Sequence, residues 1–280
     1  MCIRDRSGAA RSLGLSQPTL GRQIAALEEA LGVTLFTRSP SGLLPTETAI
    51  ALQPHAQAMA ASAAALIRAL APAESETGVV RITASEVIGG AVLPLILAGV
   101  REAQPGIALE LVLSNRNDDL LRREADIAVR MARPTQSALF GRKIGVAHMG
   151  LFASKTYIQT HGRPVRLEDR RGHTFVGYDH LPSYADRVVS DLPISRAMFD
   201  IRSDSDLAQL AMIQAGLGIG VCQSALARRM DLVPVLPGAL DFPMETWVVT
   251  HEDLKSVRRV RIVFDALVAG MSDYLSEQAV

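Results

Sequence analysis

Gln17, Thr19, Arg22 and Gln23 share one face of a short expected helix. They are the side chains that reach base edges and phosphates from a helix lying in a DNA major groove. Ser16 stands where that helix begins, and its hydroxyl suits the unpaired N–H groups of a helix start; Pro18 costs little in the first turn. The opposite stripe, Leu20, Ile24, Leu27 and Leu31, repeats at helical spacing. Upstream, Ala9, Ala10 and Leu13 form a shorter helix that ends in a turn at Gly14. Downstream, residues 33–38 read as a strand, Pro40, Ser41 and Gly42 as a turn, and residues 43–46 as the returning strand. Helix, turn, helix and hairpin in that order make a winged helix-turn-helix, with Arg38 on the hairpin placed to meet a phosphate. Two helices joined by a glycine turn also occur in proteins that never touch DNA, so the hairpin gives the pattern its meaning.

A second group of polar residues falls at the ends of expected strands. Ser85 follows a strand and precedes a helix, where a hydroxyl and nearby amides suit a carboxylate; plain N-capping is the alternative. Ser114 and Asn115 end the next strand, and Arg130 ends a third. Arg130 has the fork geometry for a carboxylate, or equally for a structural acid. Tyr178 ends a later strand and offers a ring and a hydroxyl. Ser203, with Asp204, stands before a helix; capping is the competing role.

The pattern of elements that must position these groups changes along the chain. Residues 46–71 read as one long helix with Thr46 as cap, interrupted by Pro54. Leu52, Ala56, Met59, Ala63, Leu66 and Leu70 form a heptad-like seam of small and apolar residues, suited to pairing with a second copy. Packing on its own domain is the alternative. Residues 72–78, with Pro72 and the Glu-Ser-Glu-Thr run, read as a hinge.

Beyond the hinge, strands alternate with helices. Strands are expected at 79–84, 107–113 and 125–130, with helices at 89–103 and 117–123; this alternation gives a parallel α/β lobe. Further strands are expected at 146–153, 174–178, 199–203, 218–222 and 245–250. Helices are expected at 205–215 and 258–275. The later segment is expected to sit inside the first, so that two lobes face each other across a cleft (lobe I about 79–145 and 251–280, lobe II about 146–250).

Composition narrows the chemistry. Lys plus Arg and Asp plus Glu are each 29 of 280 residues, so no global charge attracts nucleic acid. Residues 1–45 hold five arginines against three acids, which leaves affinity for DNA to specific contacts and dimerisation. Cys2 and Cys222 form no ligand cluster or disulfide framework, and the six histidines show no metal spacing. No cofactor or metal is expected, and no nucleophile, acid and base stand together as an enzyme requires. Gly216-Leu217-Gly218-Ile219-Gly220 follows a helix and enters a strand, the reverse of a dinucleotide fingerprint, so a helix end and tight turn is expected there.

The runs Ala9-Ala10, Leu13 to Thr19, Arg22-Gln23-Ile24, Leu27-Glu28, Leu31-Gly32 and Leu35 to Arg38 together resemble the LysR-type transcriptional regulators. The resemblance extends over nearly the whole chain. It implies a DNA-binding domain at 1–45, a dimerising linker helix at 46–71, and an effector domain at 79–280 similar to type 2 periplasmic binding proteins. It also implies a cytoplasmic homodimer or homotetramer that answers a small molecule, expected here as a carboxylate from Ser85 and Arg130, and that contacts promoter DNA and RNA polymerase. Two features depart from the family. Met1 to Arg6 does not resemble the family's opening helix, which implies a truncated head whose Leu13, Leu20 and Ile24 lack a packing partner. Gly21 replaces the usual small hydroxyl residue, at about 1 kcal/mol of helix propensity relative to Ala. A solute-binding module, a ligand sensor that no longer reads DNA, and an enzyme on the same two-lobed fold are the rival readings.

Overall fold

The computed structural model describes residues 6–39, 42–69, 72–115, 125–167, 172–180 and 195–277. The chain divides into two compact units, Met1–Ala64 and Ala65–Val280.

The first unit opens with α1 (Arg6–Ser12) and α2 (Gln17–Leu31). Ser16 caps α2 as its residue type demands, accepting from the Thr19 amide at 3.3 Å, with Pro18 in the first turn. The turns at Gly14 and Gly32 have φ of +64° and +67°, a region that favours glycine. β1 (Phe36–Ser39) and β2 (Gly42–Pro45) pair antiparallel. β1 starts three residues later than the alternation predicts, because Glu28 Oε1 takes the amides of Leu35 (2.7 Å) and Phe36 (3.0 Å) and holds the approach to the strand against α2. α3 (Glu47–Ala69) follows; Thr46 Oγ1 accepts from the Ala49 amide at 3.2 Å, and the helix continues through Pro54. Met1 to Asp5 lie outside the described residues, as do Pro40, Ser41 and Leu70.

The second unit is built on one sheet in the order β10-β6-β11-β5-β3-β4, with β9 added beside β6. β3 (Gly78–Ala84) pairs parallel with both β4 (Ile107–Leu113) and β5 (Ile127–Arg130). A π-helical turn at Ile88–Val92 leads into α4 (Leu93–Ala103). The helix expected at 117–123 lies outside the described residues. β6 (Leu139–Ser154) begins seven residues earlier than predicted and runs antiparallel to the whole of β11 (Phe242–His251). Exposed positions alternate irregularly along its first half, which hides the strand's start in the sequence.

One end of this β6–β11 ribbon carries β5, β3 and β4. The other carries β9 (Gly220–Gln223) and β10 (Leu232–Pro234). α5 (Lys155–His161), β7 (Val176–Gly177), β8 (Ile201–Arg202), α6 (Asp206–Gln214) and α7 (Ser224–Arg229) complete the second end. α5, α7 and β10 carry no distinctive periodicity and are absent from the sequence reading. Gly216 lies at φ +81° between α6 and β9, as expected for a helix end and turn.

α8 (Arg258–Ser276) buries Val260, Val263, Phe264, Leu267 and Met271, the face that its period indicates. Tyr274, on the same helix, is fully buried, and its hydroxyl donates to Gln223 Oε1 at 2.7 Å. Tyr274→Phe leaves that acceptor unpaired and is expected to cost about 1–2 kcal/mol. Urea unfolding followed by circular dichroism checks this, and an unchanged midpoint would remove the bond from the stabilising set.

Candidate functional site: an exposed helix face and a cavity

The polar face of α2 is open. Ser16, Gln17, Pro18, Arg22 and Gln23 are exposed and Thr19 is half-buried. Ser16 Oγ and Thr19 Oγ1 lie 2.7 Å apart, so these two hydroxyls serve the cap. Gln17, Arg22 and Gln23 have their polar ends in solvent on a helix whose first turn is fixed. Arg38 lies on β1, and its side chain lies outside the described set.

The apolar stripe of this helix is thinly covered: Leu20 and Ile24 are half-buried, and Leu27 and Leu31 are each 50% exposed. Ala10, Leu35 and Leu43 are the buried apolar residues described in this unit. Along α3, Leu52, Ala56, Met59, Ala63 and Leu66 are all exposed, Met59 to 75%.

In the second unit a cavity of about 220 Å³ lies alongside the β6–β11 ribbon. Ser85, Asn115, Arg130 and Tyr178 line it, from four different segments of chain. Ser114 and Ser203 are not among its lining residues. The Ser114 amide extends the β3–β4 ladder by donating to Ala84 O at 2.8 Å. Ser203 braces the start of α6: its hydroxyl accepts from the Ser205 amide at 3.3 Å and its carbonyl from Gln209 Nε2 at 2.7 Å.

A hydrogen-bonded chain closes one side of the cavity. Tyr178 Oη donates to Asp206 Oδ1, and Asn115 Nδ2 donates to Asp206 Oδ2 at 3.0 Å. Asn115 Oδ1 in turn accepts from the Glu86 amide at 3.1 Å. Glu86 Oε2 accepts from Ser205 Oγ at 2.9 Å. Asp206 was not singled out from the sequence because it reads as an ordinary first-turn acid after the Ser205 cap.

Arg130 is buried; its Nη2 donates to Thr83 Oγ1 at 2.9 Å and its Nη1 to Val129 O at 3.3 Å. Cys222 also lines the cavity, and burial pushes its thiol up to about 12, so it stays protonated and inert. Apolar walls dominate elsewhere, including Met131, Met149, Met244, Phe175 and Phe242.

Two family models match the chain. The "LysR substrate binding domain" covers residues 73–272, and the "Bacterial regulatory helix-turn-helix protein, lysR family" covers residues 4–49. The chain belongs to the LysR family of transcriptional regulators. An HTH-type transcriptional regulator of Xanthomonas campestris pv. campestris is 31% identical over 173 residues, spanning 59% of this chain but only 48% of that protein. CrgA of Neisseria meningitidis serogroup B is 28% identical over 279 residues, covering 96% of this chain and 93% of CrgA. The solved structure of Neisseria meningitidis CrgA matches with a TM-score of 0.59 at 25% identity, over 96% of this chain and 94% of that one. Full-length AphB of Vibrio cholerae matches in fold, with a TM-score of 0.57 at 22% identity over 95% of this chain and 94% of that one.

This LysR-family regulator therefore combines a helix-turn-helix with an α/β effector domain and controls transcription in response to a bound effector. The family is one of regulators, not enzymes. Among the described residues, no helix is long and apolar enough to cross a membrane.

Asp206 is held above the ordinary aspartate value, chiefly by burial, with Glu86 adding like-charge repulsion against the hydrogen bonds of Tyr178 and Asn115. The native state thus binds this proton more tightly than the unfolded chain. Its contribution to stability is largest below the ordinary aspartate pKa and falls as pH rises through that value to the raised native one. A carboxyl ¹³C titration is expected to place Asp206 above the ordinary range. A midpoint at or below it would show the site to be wetter than its geometry indicates.

Proposed function

We propose that this regulator reads promoter DNA with the exposed face of α2, through Gln17, Arg22 and Gln23, while Ser16, Pro18 and Thr19 set the start of the helix against the phosphates. Arg38 on the hairpin adds a phosphate contact. The observation that carries this reading is the open Gln17–Arg22–Gln23 row on a capped helix directly before an antiparallel hairpin. Helices that enter a major groove present their N-terminal residues to the bases in this way.

The chain is read as a DNA-binding domain at 1–45, a dimerising linker helix at 46–71, a hinge at 72–78 and an effector domain at 79–280, working in the cytoplasm. Leu52, Ala56, Met59, Ala63 and Leu66 form the proposed pairing seam, with Leu70 continuing it outside the described residues. Their exposure in a single chain supports pairing with a second copy, as a dimer or within a tetramer. A small molecule in the cavity shifts the two ends of the effector domain, and the paired heads change their hold on the promoter and on RNA polymerase. Such coupling requires the effector to bind one arrangement better than the other.

Arg22→Ala is expected to weaken binding to DNA upstream of the regulator's own gene about tenfold, the loss of one base or phosphate contact. Fluorescence anisotropy with scrambled competitor measures it. Unchanged affinity would exclude Arg22 from the interface.

A further inference from the structure

The cavity lining speaks to the chemical class of the effector, an inference that rests on the cavity being the effector site. We propose that the effector is an uncharged, mainly apolar molecule about the size of a two-ring aromatic, held by one hydrogen bond to Ser85, and not a carboxylate.

Size comes first. An engineered apolar cavity of about 150 Å³ in another protein holds benzene. A space of about 220 Å³ takes a molecule about half as large again. Its walls include Met131, Met149, Met198, Met244, Phe175 and Phe242. Thioethers are polarisable and mould around irregular apolar shapes, and they make favourable contacts with aromatic rings.

The devices that would capture an anion are already spent. Arg130 is the one cation that lines the cavity among the described residues, and it donates to Thr83 Oγ1 and Val129 O and has further interactions besides. The Glu86 amide, the donor a carboxylate beside Ser85 would need, is taken by Asn115 Oδ1 at 3.1 Å. Two acids stand at the same side: Asp206 lines the cavity, and Glu86 binds Ser205 Oγ immediately beside it in sequence. A carboxylate entering here gives up its hydration, meets the like charge of Asp206 and has to compete for an Arg130 already held by the protein.

One polar group remains unsatisfied. Ser85 Oγ is buried and has no hydrogen-bond partner among the described residues. Buried hydroxyls in native proteins are nearly always paired, so this one suits a ligand hydroxyl or carbonyl.

Three probes of one shape isolate the charge: naphthalene, 2-naphthalenemethanol and 2-naphthoate, titrated calorimetrically into the purified full-length chain at neutral pH. The alcohol is expected to bind at least about tenfold more tightly than the carboxylate. Ser85→Ala is expected to weaken the alcohol about fivefold and leave naphthalene unchanged. Met149→Trp and Ala132→Phe each fill the space, and whichever of them folds is expected to abolish binding of all three probes.

Equal or tighter binding of 2-naphthoate, lost on filling, overturns the ligand class and leaves the cavity as the effector site. Absence of binding by any probe to the wild-type chain also overturns the ligand class. Probe binding that survives both filling substitutions overturns the cavity as the site.

Discussion

The antiparallel pairing of β6 with β11 is the constraint on which the effector domain depends. Ten consecutive residues of β11 find partners on β6, from Phe242 opposite Met149 to His251 opposite Leu139. Among the described residues no other ladder reaches both ends of the unit. β5 joins β11 only at Trp247 to Thr250, and β9 joins β6 only at Met149 to Phe152. The register shifts between Thr246 and Trp247, at the changeover from one end to the other. A bulge bends its strand and increases the local twist, so this single irregularity re-aims one half of the domain against the other.

Contacts across the cavity then decide how the halves stand. Asn115 follows β4 at one end, and Asp206 starts α6 at the other; Glu86 and Ser205 repeat the same connection. These are hydrogen bonds to acids in a partly dry setting, stronger than neutral ones but sensitive to whatever enters beside them. Tyr178 and Asn115 share one carboxylate, so displacing either changes what the other can hold.

The sequence carried the elements with strong local signals. Ser16, Pro18 and Gly32 punctuate α2 because caps and turns are chosen by one or two residues. α8 was legible because its buried face keeps a helical period over five turns. The start of β6 was not, because its first half lies partly in solvent and shows no clean alternation. Of the expected cavity residues, Ser85, Asn115, Arg130 and Tyr178 do line it, since ligands gather at the ends of strands in α/β sheets. Asp206 and Glu86 were illegible: a first-turn acid and a helix-start acid look alike wherever they occur, and only the fold links Glu86 through Asn115 to the cavity-lining Asp206. The partners of Arg130 and of the Glu86 amide are likewise invisible to spacing, and they are what the proposed uncharged effector rests on.

In the helix-turn-helix unit, specific polar contacts place α2. α2 has no buried residue, so hydrophobic burial contributes less to its position than is usual for a helix of this length. Specific hydrogen bonds take a larger share. Ser16 fixes its first turn, and Glu28 accepts two amides from the segment entering the hairpin, tying helix and wing together. These three bonds set orientation more than they add stability, which is what the proposed reading of base edges by Gln17 and Gln23 requires. Net charge offers no compensation, with cations and anions equal over the chain. Affinity must then come from the number of correctly placed contacts, and two heads held at a fixed spacing double that number. On the proposed reading, the exposed seam on α3 is the element that sets such a spacing.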